Sequence, residues 1–284
     1  MTPGLPQVTG LDFSRTGDGA LPLVVLHGLG GARRQPLEFI DTRARQLCGV
    51  IAPDLRGHGS TRLDDRPGLL TFRQLAADVE DLVNEQAGHS GVVVLGISMG
   101  AAIAAELAAR ATITIRAMLL IRPAWLWSPG PSNLAPLPVI GRLLHHHLPP
   151  RARQLFTGTG EYQAVDRTSP AAARALLAQF DDLDAARRWH RLVAIPADAP
   201  GRPRAAPPTR ILAAAQDPVH PFQIAETLAA DLGADLSVVP PRYEQPAQHR
   251  AAVTAALHEF LVGLEPSRSS GRAISQADPQ PWRP

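Results

Sequence analysis

VVVLGISMGAAIAAELAAR, Val92–Arg110, changes character at Ser98. Val92–Leu95 is an unbroken aliphatic run of the kind a strand buried on both faces requires. Ala101–Arg110 is alanine-rich and helix-forming. Between them Gly96-Ile97-Ser98-Met99-Gly100 has to turn a strand into a helix within five residues. Small residues on both flanks of the serine permit a bend that lifts its hydroxyl above the sheet and points the positive end of the following helix at it. Gly-x-Ser-x-Gly would arise by chance about 0.08 times in a chain of this composition, so its placement at a strand-to-helix junction carries the weight. A serine so placed is either a turn residue or a nucleophile.

Outward from this stretch, short apolar runs recur at Leu23–Leu26, Val50–Ala52, Met118–Ile121, Arg210–Ala214 and Leu236–Val239, separated mostly by helical patterns. Thr71 precedes a helical face of Phe72, Leu75, Val79, Leu82 and Val83, with Gly88 as its stop. Strand and helix in alternation predict an α/β fold with a mostly parallel central sheet covered by helices on both faces. From Pro123 to Pro208 the rhythm breaks, with many prolines and helical patterns at Ala171–Phe180 and Asp184–Ile195. An insertion of that length predicts a helical cap. The expected domain is 10–264 with the cap at 123–208, followed by a Pro, Ser, Arg and Gly-rich tail, 265–284, expected to be disordered.

Apolar residues make up 45% of the 284, enough for a sizeable core, and charged residues 19%. There is no lysine, so all 28 basic residues are arginine. They alternate with 26 acidic residues instead of clustering, which argues against a nucleic-acid partner. Cys48 is the single cysteine and has no partner for an internal disulfide. No charged start with an apolar core region opens the chain, and no run is long enough for a membrane span; a cytoplasmic location without membrane contact is the expectation. Oligomeric state is not legible.

LVVLHGLGG (23–31), APDLRGHGST (52–61), VVVLGISMGAAIA (92–104) and RILAAAQDPVHP (210–221) together resemble the α/β-hydrolase superfamily, in order and over nearly the whole chain. The resemblance implies Ser98 as nucleophile and the backbone N–H groups of Leu29 and Met99 as oxyanion hole. It also implies Asp217, after the penultimate strand, as the acid of the triad. A serine hydroxyl needs a base to take its proton and the base needs an anion to fix its tautomer. Members of this superfamily usually carry that histidine shortly after the last strand, where this chain has none. His249, 32 residues past Asp217 at the start of the last helix, is the expected general base; His220, in the acid loop, is the alternative.

His27, Trp125 and Trp127 are candidate pocket residues, the tryptophans because they follow the strand at 118–121 where the cap leaves the sheet. Arg122 is expected either to bind a substrate carboxylate or to pair with Asp181 or Asp182. Asp54 reads as a loop cap, His58 as structural, Asp81 and His258 as surface or packing residues. The run His145-His146-His147 lacks a carboxylate or cysteine at ligand spacing, and Gly28-x-Gly30-Gly31 is neither a dinucleotide nor a Walker loop; no metal or cofactor is expected. The expected activity is hydrolysis of a small-molecule ester, thioester or lactone through an acyl-serine. The alternatives are carbon–carbon bond hydrolysis, acyl transfer or cyclisation on the same machinery, or a ligand-binding protein without catalysis.

Overall fold

The computed structural model describes residues 10–61, 68–88, 91–181 and 183–264, with backbone only for 183–186. The expected tail, 265–284, lies outside the described residues. Seven strands form one sheet: β1 (Phe13–Thr16), β2 (Leu21–Leu26), β3 (Cys48–Pro53), β4 (Val92–Ile97), β5 (Ile115–Ile121), β6 (Thr209–Ala214) and β7 (Asp235–Val239). Their order is β1-β3-β2-β4-β5-β6-β7, and every pairing is parallel except β1 with β3.

Helices between strands are α1 (Arg34–Leu37), α2 (Thr42–Leu47), α3 (Phe72–Ala87) and α4 (Met99–Arg110). The segment between β5 and β6 holds α5 (Pro136–His146), α6 (Pro149–Thr157), α7 (Gly160–Thr168), α8 (Pro170–Leu177) and α9 (Leu183–Leu192). The chain then adds α10 (Phe222–Leu232) and α11 (Pro246–Gly263). The mostly parallel sheet with helices on both faces is the predicted architecture. The edge strand β1 was not predicted, because Phe-Ser-Arg-Thr has no apolar run and only partial burial.

Alternate strand residues serve opposite faces. Val24, Leu26, Val92 and Val94 pack with α3 and α4 through Phe72, Leu75, Ile103 and Leu107. Leu23, Val25, Val93 and Leu95 pack with α11 through Val253, Leu257 and Leu261, and with Phe39 and Ala44. These side chains are almost wholly buried, so truncating one of the leucines to alanine would cost about 2–5 kcal/mol. Thr71 caps α3 by accepting from the Gln74 N–H at 3.2 Å, and Gly88 ends it in a positive-φ conformation, both as predicted.

The chain crosses from β2 outward to β3, then returns to β4 on the other side of β2. At such a reversal the loops leaving adjacent strands diverge and open a crevice at their carboxyl ends. Here those loops are Gly28–Gly31 after β2 and Ser98 after β4, with Leu26 paired to Gly96. The ends of β5 and β6 lie beside them and deliver Arg122 and Asp217.

Candidate active site

Ser98 sits at the reversal with φ 53° and ψ −107°, a conformation costly for a residue with a side chain. Two glycines make the bend possible. A Cβ on Gly96 would lie 2.3 Å from the Gly100 carbonyl oxygen, and one on Gly100 would lie 2.4 Å from that of Leu26. The Ser98 N–H donates to Ile121 O at 3.0 Å, tying the bend to β5. Met99 opens α4 directly after it, and a Cβ on Gly28 would lie 3.4 Å from the Ser98 Cβ. The Gly28 N–H is occupied by Gln35 Oε1 at 2.7 Å, and Leu29, next in the loop, lines the cavity.

His220 Nε2 lies 2.9 Å from Ser98 Oγ, and His220 Nδ1 lies 3.0 Å from Asp217 Oδ2. Asp217 and His220 share one tight turn: the amides of Val219 and His220 both donate to Asp217 Oδ1 at 3.1 Å. The turn thus fixes the carboxylate through one oxygen and leaves the other for the imidazole.

Arg122 closes the group from behind. It has φ 49°, is buried, and donates from Nε to Asp217 Oδ2 at 2.8 Å, with Nη2 ion-paired to the same oxygen at 2.7 Å. Its Nη2 also lies 3.0 Å from His220 Nδ1 and 3.2 Å from the Tyr243 hydroxyl, with the guanidinium 5.2 Å from the Tyr243 ring centre. Asp217, held ionised, can only accept, so the Nδ1 facing it at 3.0 Å carries the ring proton toward it and Nε2 is left to accept from Ser98. Burial works to raise the Asp217 pKa, but His220 and Arg122 together hold it well below the usual carboxylate range. Burial lowers the His220 pKa; Asp217 opposes that and Arg122 adds to it.

The expectation for His249 is corrected by this geometry. The sequence correctly puts it at the start of α11, but its Nδ1 turns back to Pro240 O at 2.8 Å, its Nε2 is buried without a partner, and its ring packs on Phe39. It makes no hydrogen bond to Ser98. The turn after β7 brings Arg242 and Tyr243 to the cavity over the serine, and His249, further along on α11, points back to that turn. His27 is corrected likewise: its ring is fully buried, with Nε2 accepting from the Leu55 N–H at 3.0 Å and Nδ1 on Gly28 O, so it braces two loops and does not line the cavity.

The two tryptophans separate. Trp125 is buried at the cavity wall, edge-on to Phe72, whereas Trp127 donates to Asp231 at 2.6 Å outside the cavity. Arg122 pairs with neither acidic residue expected for it; Asp181 is bound by Arg153 and Asp182 lies outside the described residues. Asp54 takes the Arg33 and Ser60 amides as a loop cap, as expected.

Above Ser98 and His220 lies a cavity of about 220 Å³, walled by the β2 loop on one side and by the helical insertion on the other, through Leu137, Leu176, Gln179 and Trp189. Tyr243 and Arg242, neither singled out in the sequence, complete it. No group of three or more histidine, cysteine, aspartate or glutamate side chains suited to a metal occurs among the described residues. No helix among them is long and apolar enough to cross a membrane.

Residues 23–260 match the model of the alpha/beta hydrolase family. The chain belongs to that family. It is similar to the dihydrolipoyllysine-residue acetyltransferase component of the acetoin cleaving system of Cupriavidus necator, 33% identical over 39% of this chain and 29% of that one. It is also similar to Lipase 1 of Psychrobacter immobilis, 32% identical over 38% of this chain and 33% of that one. The chain thus spans about a third of the length of the curated relatives it matches. An esterase from Thermogutta terrifontis shares the fold, with a TM-score of 0.67 at 21% identity over 90% of this chain and 94% of that one.

Proposed function

We propose that this alpha/beta hydrolase cleaves a small carboxylic ester, thioester or lactone through an acyl-Ser98 intermediate. The observation that carries the reading is the continuous path Ser98 Oγ, His220 Nε2, His220 Nδ1, Asp217 Oδ2, with steps of 2.9 and 3.0 Å beneath a cavity of small-acyl size. In this reading Ser98 Oγ attacks the carbonyl carbon as Nε2 takes its proton. The oxygen becomes an oxyanion held by the Leu29 and Met99 amides at the positive end of α4. His220, now an imidazolium stabilised by Asp217, returns the proton to the leaving alcohol or thiol. Water then repeats the sequence in reverse and frees the acid and Ser98.

Similarity to Lipase 1 supports the ester class. Turnover of 4-nitrophenyl acetate tests it. Ser98→Ala should abolish turnover above background, and Asp217→Asn, which removes the anion and the tautomer it imposes, should lower kcat about 10⁴-fold. Equal turnover by wild type and Ser98→Ala would contradict the reading.

A further inference from the structure

We propose that Arg242 forms an anion subsite in the Ser98 cavity, so that the ester this protein cleaves carries a carboxylate. The proposal rests on the hydrolase reading above and narrows its substrate class. Two guanidinium groups line the cavity, and they differ in what neutralises them. Arg122 is locked on Asp217 at 2.7 Å. Arg242 has, among the described residues, only Glu38 within ion-pair range, at 3.8 Å, too far for a hydrogen bond. Its side chain is 26% exposed, and Glu38 is 31% exposed to solvent.

A guanidinium offers five donors in a planar fork that matches a carboxylate, and withdrawing it from water without hydrogen-bonded partners is costly. Burial and the neighbouring Arg122 charge push the Arg242 pKa down, the behaviour of a cation short of anions. Arg242 also borders an open groove of about 770 Å³ that shares Gly30 and Gly31 with the cavity and carries Arg33, Arg34 and Arg188 against Glu38 and Asp54. Arg33 in that groove is already paired with Asp12 and Asp54, so Arg242, on the border between groove and cavity, is the guanidinium placed to receive a carboxylate beside the reacting carbonyl.

Two pairs of substrates test this. The 4-nitrophenyl half-ester of adipic acid against its methyl ester puts the carboxylate on the acyl side. 3-Acetoxybenzoate against its methyl ester puts it on the alcohol side. In one pair, kcat/KM should favour the free acid by tenfold or more, through KM. Arg242→Met should bring that ratio close to one, Arg242→Lys should retain much of it, and Glu38→Gln should raise it. Ratios below twofold in both pairs, or a preference that survives Arg242→Met, would overturn the proposal. Calorimetry with glutarate separates it from the hydrolase reading. Binding to wild type but not to Arg242→Met, with no ester turned over, would sink the hydrolase reading alone. Turnover without acid preference or glutarate binding would sink the subsite alone.

Discussion

Nη2 of Arg122 lies 3.0 Å from Nδ1 of His220, on the edge of the imidazole opposite Ser98. A permanent cation therefore stands where a protonated imidazole would place its own positive charge. Burial first, and this cation after it, outweigh Asp217 and keep the histidine neutral to lower pH than an ordinary one, so that it remains able to accept a proton.

The acid limb of the kcat/KM profile should accordingly lie below the ordinary histidine range. Arg122→Met removes the opposing cation while leaving Asp217 beside the ring, so the His220 pKa rises and the limb moves to higher pH. At pH 6 the variant should lose more activity relative to its own plateau than wild type does. A limb that stays in place would show that Arg122 does not act on His220.

Tyr243→Phe tests the proton assignment. Without the phenol oxygen, Arg122 Nη2 loses the acceptor that competes with His220 Nδ1, so its existing 3.0 Å contact to Nδ1 strengthens and favours the tautomer with its proton on Nε2. That tautomer cannot take the serine proton. kcat should fall about tenfold or more with little change in thermal stability, a part of the roughly 10²–10⁴-fold that a general base contributes. Unchanged kcat would mean that Tyr243 has no part in fixing the ring.

Gly100→Ala should not be tolerated, because its methyl group would sit 2.4 Å from the backbone oxygen of Leu26. Separating α4 from β2 to relieve that contact opens the core under the serine, and a loss of about 1–3 kcal/mol or more is expected. Thermal denaturation of the purified variant measures it; a melting temperature equal to wild type would contradict the tight packing.

The sequence carried the sheet and the elbow plainly because apolar runs and paired glycines are local signals. Six of the seven strands lie on the apolar runs that predict them. β1 escaped because its four residues pair only at an edge. The base was harder to read. The resemblance puts the histidine after the last strand and so pointed past β7 to His249, whereas the turn Asp217-Pro218-Val219-His220 brings acid and imidazole together within four residues. The absence of a histidine directly after Val239, together with one at i+3 from the acid, was the available signal. Arg122 and Arg242 were less legible still, since they meet the site through φ 49° at the end of β5 and through the Pro240–Pro241 turn, neither of which a composition pattern reveals.

Acid should destabilise the fold through histidines outside the reacting group. Burial lowers the pKa of His27 and His249 to about 4 and, together with the His27 charge, that of His58 to about 3. Each is neutral in the folded chain and takes up a proton on unfolding below pH 6.5. Stability is therefore full above 6.5 and lost as pH falls toward 4, by about 3 kcal/mol for His27 alone. Urea midpoints at pH 7 and pH 5 should differ clearly; equal midpoints would contradict the buried neutral rings.

The most direct test of the central claim is the rate at which a fluorophosphonate probe modifies Ser98, followed by peptide mass spectrometry in wild type, His220→Ala and His249→Ala. The geometry predicts rapid modification of Ser98 in wild type and in His249→Ala, and a rate lower by about 10³-fold or more in His220→Ala. Slow modification in His249→Ala with fast modification in His220→Ala would place the base at the other histidine and contradict the account.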